Sequence, residues 1–338
     1  MKIGFYSPYL DSLGGGERYV LTLAAHWAGT HDVSVFWDDR TILQKAKNRF
    51  GIDLSRVRTA ENVFRTRNIF KKMVVSRGYD LLFFLTDGSI PTTFAKYNIL
   101  HFQVPFQRIP IHPIKLSRFQ VIVCNSDFTK RHIDRRLGKR AIVIYPPVAP
   151  IPRKRTVKKN MILSVGRFHP LKKQDVLIEA FRKLKGYELV LAGGLLPADK
   201  DYIRRLRLEA KNLNIRIVPN PSFDLLTRLY NASSIYWHAA GYRETNPENM
   251  EHFGISTVEA MSAGSVPVVY NGGGLPEIVR EGRDGYLWTN IHELVNKTRR
   301  IITNPGKKLP QHAIARSKEF STTKFTDGFD QLLTDITR

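Results

Sequence analysis

The residues best suited to chemistry lie in a block of the second half of the chain that reads EHFGISTVEAM. Glu251 and Glu259 stand eight positions apart, and Gly254 between them is placed to begin a helix that Ser256 can cap. A helix N-terminus attracts phosphate, and carboxylates accept hydrogen bonds from ribose and sugar hydroxyls. The block therefore predicts a site for a phosphorylated sugar, although two glutamates at this spacing also occur by chance in many chains.

Two cations precede this block. Arg167 and Lys172 lie in SVGRFHPLKKQD, in the loop between a predicted strand and a helix that begins near Gln174. A guanidinium and an ammonium at the carboxyl end of a strand suit a diphosphate whose charge grows as its bond to a sugar breaks. Ordinary surface loops also hold basic residues, but Gly166 and Pro170 indicate that the backbone shape is specified here.

A glycine-rich turn, GGGE, follows the first predicted strand and opens a helix. Gly15 and Gly16 allow the backbone to approach a ligand closely, and the helix N-terminus offers N–H groups to phosphate. The run is not a GxGxxG fingerprint, and no acidic residue is clearly placed on a second strand tip, so a dinucleotide cofactor is disfavoured. By itself the turn is equally compatible with a purely structural role.

Short β-branched runs alternate with amphipathic helical patterns along the whole chain. The strands and helices that they predict must position the candidate residues. This alternation is typical of parallel sheets covered by helices on both faces. The predicted class is therefore α/β, with two doubly wound Rossmann-like domains facing across a cleft. Predicted strands are 2–7, 33–37, 81–85, 98–101, 120–125 and 141–145, then 161–166, 188–192, 216–218, 234–238, 266–270 and 285–288. Predicted helices of the first half are 16–28, 65–76 and 127–137.

The chain length and a proline-rich segment predict the domain boundaries. A chain of 338 residues exceeds what one hydrophobic core usually organises. The segment PPVAPIPRKRTVKKN has four prolines and five basic residues, which indicates a linker over 148–160 between domains at 1–147 and 161–320. A last helical segment from Lys307 leads into a C-terminal helix at 321–338, whose return to the first domain is left open.

The charge of +23, from 53 Lys and Arg against 30 Asp and Glu, predicts attraction to phosphates of nucleotides, nucleic acid or an anionic membrane. The basic runs lack the spacing of a DNA-reading module, so no specific nucleic-acid partner is expected. Within 64–77, Phe70, Met73 and Val74 can share one helical face ringed by cations, which is typical of a helix at an anionic membrane surface. Packing of that face on the sheet is the alternative. No apolar run approaches the roughly 18 residues of a membrane span.

Two further features carry expectations of their own. Cys124, the single cysteine, lies in the apolar run VIVCN, where a buried hydrophobe is favoured over a nucleophile. A single cysteine is consistent with a reducing, cytoplasmic setting. The basic helix at 64–77 adds the expectation of peripheral attachment to the cytoplasmic face of a membrane. Asp199 and Asp201 resemble a metal-binding Asp-x-Asp, but their polar helical stretch predicts a solvated face and no metal site.

Taken together, the blocks resemble glycosyltransferase family 4 of the retaining GT-B enzymes. The resemblance is carried by GGGE after the first strand, GRFHPLKK after the linker, and EHFGISTVEAMSAGSVPVV with GGGLPEIV near the end. It covers nearly the whole chain, and its Glu-x7-Glu block with the flanking residues is highly specific. It implies an acceptor-side first domain and a second domain that binds a nucleotide-sugar donor.

The resemblance also implies a role for each candidate residue. Arg167 and Lys172 would hold the donor diphosphate, Glu251 the hydroxyls of the sugar, and Glu259 the ribose. The remaining implied contacts come from the amides of Phe253, Gly254, Ile255 and Ser256 to the sugar and phosphates, from Gly15 and Gly16 to the diphosphate, and from His101 to the sugar near its anomeric carbon. On sequence alone, a lone histidine at a strand end such as NILH is more often structural.

These roles predict a retaining hexosyltransferase that moves a sugar, with mannose as the first expectation, to a glycan or polyprenyl-linked acceptor. The expected donor is GDP-mannose or a UDP-sugar. No separate cofactor and no metal are expected, because Arg, Lys and a helix dipole replace the cation. The alternatives are a sugar-nucleotide epimerase of the same fold, a silent binding subunit, and a basic nucleic-acid-binding protein; none of them requires the whole set of cations, glycines and glutamates.

Two features depart from the family pattern. Lys173 stands where Gly or Asn is common, and the insert GYRETNPENM lengthens the loop before Glu251. Together they leave the details of the donor loop open.

Overall fold

A computed structural model describes residues 1–153, 156–304, 306 and 308–338. Lys154 and Arg155 of the predicted linker, and Lys307 at the predicted start of the last helical segment, lie outside the described residues. The chain divides into two compact units. The first unit consists of Met1–Pro147 with Thr322–Arg338, and the second of Val148–Ser321.

The first unit is built on one parallel sheet of seven strands. In chain order they are β1 (Lys2–Tyr6), β2 (Asp32–Phe36), β3 (Arg58–Ala60), β4 (Leu81–Leu85), β5 (Tyr97–Phe102), β6 (Val121–Cys124) and β7 (Ala141–Val143). Their order across the sheet is β3-β2-β1-β4-β5-β6-β7, so strand addition reverses direction between β1 and β4. All five residues of β4 are buried, as expected of a central strand covered on both faces.

Helices and short 3₁₀ turns connect these strands. The helices are α1 (Gly15–Trp27), α2 (Ile42–Phe50), α3 (Ile69–Arg77), α4 (Pro113–Leu116), α5 (Asp127–His132) and α6 (Arg135–Gly138). The single helix predicted over 127–137 is wrong, because Ile133 is extended and the Asp134 side chain caps a new helix by accepting from Arg136 N. The helix predicted over 65–76 begins only at Ile69, where the Asn68 side chain caps it.

The second unit is built on a parallel sheet of six strands. They are β8 (Lys159–Val165), β9 (Glu188–Gly193), β10 (Ile215–Pro219), β11 (Ser233–His238), β12 (Val266–Tyr270) and β13 (Tyr286–Trp288), in the order β10-β9-β8-β11-β12-β13. Its helices are α7 (Gln174–Phe181), α8 (Lys200–Glu209), α9 (Phe223–Ala232), α10 (Ile255–Ser262), α11 (Leu275–Ile278), α12 (Ile291–Thr303) and α13 (Lys308–Ser317). Strand addition reverses here between β8 and β11.

The last helix, α14 (Thr322–Thr337), belongs to the first unit. Phe325 and Phe329 pack edge-on against Tyr19 of α1, with ring centroids 4.7 and 5.8 Å apart. Asp330 accepts a hydrogen bond of 2.8 Å from Trp27 Nε1. The apolar spacing of this helix therefore serves to cover one face of the first sheet.

Two parallel sheets with a strand reversal in each confirm the predicted class of two doubly wound domains. Ligands of such sheets bind outside the carboxyl ends of the strands at the reversal, which directs attention to the loops after β1, β4, β8 and β11. Cys124 is buried, and burial raises the pKa of its thiol to about 12. No helix in the described part of the chain is both long and apolar enough to cross a membrane.

Candidate functional site

Three polar side chains meet at the strand reversal of the second unit. Lys172 Nζ lies 2.7 Å from Glu251 Oε2, and His238 Nε2 lies 3.2 Å from the same oxygen. Lys172 ends the 3₁₀ turn Pro170–Lys172 that follows β8, and His238 is the last residue of β11. One carboxylate oxygen therefore joins the two strands between which strand addition reverses, where the fold places its ligands.

Glu251 is held in its charged form although its side chain is only 17% exposed. Burial by itself raises the pKa of this carboxyl, but the Lys172 ammonium and the His238 hydrogen bond outweigh it and hold the pKa well below 4.5. A charged carboxylate only accepts hydrogen bonds, which suits it to sugar hydroxyls. The Lys172 ammonium has three donors, and the bond to Glu251 uses one of them.

His238 was not among the residues predicted from the sequence. Its side chain is 6% exposed, and its Nδ1 has no hydrogen-bond partner within residues 1–153, 156–304, 306 and 308–338. The sequence feature that could have identified His238 is its place at the carboxyl end of the strand SSIYWH, shortly before the insert that leads to Glu251.

The glycine run at 272–274 fixes the backbone that carries Glu251. Gly274 N donates to Glu251 O at 2.8 Å. A Cβ on Gly273 would lie 2.2 Å from Glu251 O, and one on Gly274 would lie 2.4 Å from His252 O. No residue with a side chain fits at either position, so GGGLPEIV serves to lock the neighbouring turn in place.

The N-terminus of α10 follows directly. Gly254 precedes the helix with φ 117°, a left-handed conformation that glycine adopts without steric penalty. Phe253 turns its ring into the core against Phe320, 5.4 Å between centroids, and Ile255 begins the helix. The predicted capping role of Ser256 is wrong: its Oγ lies 2.8 Å from the Tyr236 hydroxyl, and no side chain caps this helix within the described residues.

Glu259 lies one turn into α10, where its Oε2 accepts a hydrogen bond of 2.9 Å from the Tyr230 hydroxyl. Tyr236 lies close to both glutamates of the block. Burial chiefly raises the pKa of Tyr236, and the charges of Glu251 and Glu259 raise it further. The charges of the two carboxylates that stand eight positions apart in sequence therefore act on the same buried tyrosine.

Arg167 stands over a buried carboxylate. Its Nε lies 4.0 Å from Asp199 Oδ2, and His169 Nε2 lies 4.0 Å from Asp199 Oδ1. Asp199 is only 8% exposed, so its assignment to a solvated face is wrong, while the exposed Asp201 pairs with Arg204. Among the residues that the structure describes, no group of three or more His, Cys, Asp or Glu is arranged to hold a metal ion.

In the first unit, Gly15 begins α1 and the amide of Gly14 donates to Glu17 Oε2 at 2.9 Å. The helix start therefore carries a carboxylate of its own. Gln103 connects the predicted residues of this unit, because its Nε2 lies 3.2 Å from His101 Nε2 and 3.5 Å from Gly16 O. The predicted contacts of Gly15 and Gly16 with a diphosphate stay predictions.

His101 lies in the core of the first unit with no exposed surface. Its Nδ1 lies 3.1 Å from Val123 O, and its ring stacks on Tyr19 with 4.2 Å between centroids. Burial lowers the pKa of the imidazole to about 3, so the ring is neutral. With both ring nitrogens engaged, the geometry favours the structural role of a strand-end histidine, and contact with a sugar stays a prediction.

Comparison with known proteins places this chain in a family. The model of "Glycosyl transferases group 1" matches residues 150–320, just over half of the chain. A GDP-Man:Man(3)GlcNAc(2)-PP-Dol alpha-1,2-mannosyltransferase of Dictyostelium discoideum is 30% identical over 249 residues, which cover 65% of this chain and 48% of that protein. The chain spans about half the length of the curated relatives it matches.

Two solved structures share the fold over nearly the whole chain. HepE of Anabaena, in complex with UDP, has a TM-score of 0.78 at 19% identity and covers 99% of this chain and 100% of its own. A glycosyltransferase from Rickettsia africae has a TM-score of 0.80 at 18% identity, covering 100% of this chain and 98% of its own. The predicted GT-B fold is thereby confirmed. The chain belongs to the glycosyl transferases group 1 family.

Proposed function

We propose that this chain is a retaining, metal-independent hexosyltransferase that moves a sugar from a nucleotide-sugar donor to a glycan or lipid-linked acceptor. The observation that carries the proposal is the charged Glu251, held by Lys172 and His238 at the strand reversal beside the N-terminus of α10. The mannosyltransferase named above supports GDP-mannose as donor. The UDP bound to HepE supports a UDP-sugar as the alternative.

In this proposal Arg167, Lys172 and the first amides of α10 bind the donor diphosphate. Glu251 accepts hydrogen bonds from the sugar hydroxyls, and Glu259, beside Tyr230, accepts them from the ribose. The two remaining N–H donors of the Lys172 ammonium are available to phosphate oxygens. Fixed cations at this position take the place of a metal ion in neutralising the diphosphate, which supports metal independence.

The transfer follows from these positions. The acceptor hydroxyl oxygen bonds to the anomeric carbon while the bond from that carbon to the diphosphate oxygen breaks. The electron pair goes to the departing phosphate oxygen, which takes the proton of the acceptor hydroxyl from the same face. Lys172 and Arg167 stabilise the charge that develops on the diphosphate, and attack from the departing side retains the anomeric configuration.

A screen of nucleotide sugars by thermal unfolding tests the donor assignment. A ligand present at 100 times its dissociation constant adds about 2.7 kcal/mol of stability, so GDP-mannose or a UDP-sugar should raise the melting temperature clearly. Proton NMR of the product then reads the anomeric configuration, and turnover in EDTA tests the metal. Conversion of the donor without an acceptor would favour an epimerase, and steeply salt-dependent binding of random DNA alone would favour the nucleic-acid alternative.

We further propose that the first unit attaches peripherally to an anionic membrane at its cytoplasmic face, where a lipid-linked acceptor would be presented. Phe70 and Val74 are 69% and 55% exposed, so the alternative that they pack on the sheet does not hold for them. Ile114 of α4 is 73% exposed. Burial, and then the nearby Lys115, lower the pKa of Lys72, so cations of α3 and α4 lie close together. Exposed apolar side chains among cations suit an anionic lipid surface.

Vesicle co-sedimentation tests this attachment. Phe70→Ser should weaken binding to anionic vesicles, whereas Phe223→Ser, a change at a side chain of the second unit that is 71% exposed, should not. Equal binding to neutral and anionic vesicles, or binding to neither, would contradict the attachment.

A further inference from the structure

Lys173 adopts a backbone conformation that its residue type disfavours. Its φ is 55° and its ψ is 38°, which lie in the left-handed region, where residues other than glycine and asparagine are uncommon. It sits between the 3₁₀ turn that ends at Lys172 and the start of α7. Such a conformation costs free energy, which other interactions of the folded chain must offset.

That interaction is an ion pair with the insert. Lys173 Nζ lies 2.5 Å from Glu244 Oε1, and the two side chains are only 21% and 17% exposed. The hydrogen bond from Lys173 lowers the pKa of Glu244. Asn249 Nδ2 donates to the other carboxylate oxygen at 3.4 Å. Both members of the pair are therefore mostly buried, unlike the exposed ion pairs that contribute little.

Consecutive lysines thus tie the two ends of one segment. Lys173 bonds to Glu244, and Lys172 bonds to Glu251, seven residues later. The beginning of the segment is also packed by Tyr242, whose ring lies 5.1 Å from that of Trp288 between centroids. The stretch from Glu244 to Glu251 is therefore bonded at both ends to the loop after β8.

We propose that Lys173 and Glu244 are positioning residues that hold this segment so that Glu251 stays in place to bind the donor sugar. The two departures from the family pattern, Lys173 and the insert, then form one feature. Lys172 remains available to exchange part of its bonding to phosphate, because the bond between Lys173 and Glu244 holds the segment independently of Lys172. The effect on the sugar rests on the proposed function, whereas the tether itself does not.

Hydrogen exchange of the ligand-free protein tests the tether. Lys173→Met and Glu244→Gln should each raise the exchange rates of amides in 242–251 by about tenfold and leave β12 unchanged. The double variant should be no faster than the faster single variant, because both changes break one interaction. Glu248→Gln, at an exposed position of the same segment, is the matched control and should leave exchange unchanged. Unchanged exchange in both single variants would overturn the tether.

Binding measurements on the same variants test the positioning. The affinity for the nucleotide sugar should fall by about five- to tenfold, and that for the corresponding nucleoside diphosphate by less than twofold, because only the sugar contacts Glu251. Lys173→Gly should give the same loss but melt at a higher temperature than Lys173→Met, since glycine adopts the left-handed conformation without strain.

A purely structural pair would lower the melting temperature without this difference between the two ligands, and that result would overturn the positioning role. A wild-type protein that binds no nucleotide sugar would refute the proposed donor and the effect on it. The exchange rates would still decide whether Lys173 holds the segment.

Discussion

The two units share one order over six strands, on both sides of the reversal, yet they place their polar groups differently around it. In the second unit, Lys172, His238 and Glu251 meet outside the strand ends, and Lys172 is 34% exposed. In the first unit, His101 is fully buried, and the Glu17 carboxylate accepts a hydrogen bond from the Gly14 amide at the start of α1. Shared topology therefore places a strand reversal, where ligands of such sheets bind, in both units. We propose that the charged side chains and the glycine-locked backbone of the second unit make it the one that binds the donor.

The largest effect on turnover is expected from removing the Lys172 ammonium of the second unit. Lys172→Ala should lower kcat by about 30- to 1,000-fold, or about 2–4 kcal/mol in the barrier, because the diphosphate gains charge as its bond to the sugar breaks. Lys173 should not compensate, since it is bonded to Glu244. Steady-state kinetics measure the loss, with the exposed Lys185 changed to Ala as control and circular dichroism to verify folding. A normal kcat with only weakened donor affinity would refute the leaving-group role.

The pH dependence of stability should show how much the bond between Lys172 and Glu251 contributes to the free energy of unfolding. The pKa of Glu251 is depressed in the folded state, so its pair contributes stability above pH 4.5, which is lost as the pH falls below that value. Lys172→Met should cost about 1–2 kcal/mol at pH 7, because the pair is partly exposed. The difference in melting temperature from the wild type should shrink as the pH falls from 4.5 towards 3. A difference independent of pH would show that Lys172 acts through packing alone.

A smaller effect is expected at Glu259, because the ribose contacts proposed for it would be the same in the ground state and the transition state. Glu259→Gln should raise the KM for the donor about fivefold and leave kcat nearly unchanged. The amide oxygen of Gln can still accept from the Tyr230 hydroxyl, so the fold should be preserved. Donor titrations at saturating acceptor measure the split. A fall in kcat equal to the fall in kcat/KM would place Glu259 in the transition state instead.

The smallest effect on kcat/KM is expected in the first unit. His101→Gln should lower kcat/KM by less than about twofold, because the ring is neutral and buried. The pKa of His101 is about 3 when folded, against 6.5 ordinarily, so the wild type should lose stability as the pH falls from 6.5 towards 3. The variant should lose less over that range in thermal unfolding. A loss of turnover as large as that of Lys172→Ala would remove the contrast between the units.

Local pattern predicted every strand of both sheets except β3, because buried parallel strands read as continuous apolar runs, and β4 and β12 begin and end where expected. The three residues of β3, at the edge of the first sheet, are exposed or half-buried and form no such run. Helix α2 was missed although Ile42, Ala46 and Phe50 recur at helical spacing before Gly51. The break between α5 and α6 depends on one capping aspartate within a continuous helical pattern. Capping and spacing are local features that a closer reading of the sequence can detect.

The site was predictable only in part. The glutamates, cations and glycines carry local signals, since helix starts and close turns demand particular residue types. The partners of these residues carry no such local signal. His238, at the end of β11, contacts Glu251 in a later loop, and Asp199, in the loop after β9, lies near Arg167. Such contacts depend on tertiary packing, which no spacing in one sequence reports.

The central claim, that Glu251 binds the donor sugar, is tested most directly by calorimetric titration of the wild type and Glu251→Gln. Each protein is titrated with the nucleotide sugar that the thermal screen selects and with the matching nucleoside diphosphate. The wild type should bind the nucleotide sugar more tightly than the diphosphate, and Glu251→Gln should lose about tenfold of that preference while its diphosphate affinity stays within about twofold. An unchanged preference in Glu251→Gln, or an equal loss for both ligands, would contradict the assignment of Glu251 to the sugar.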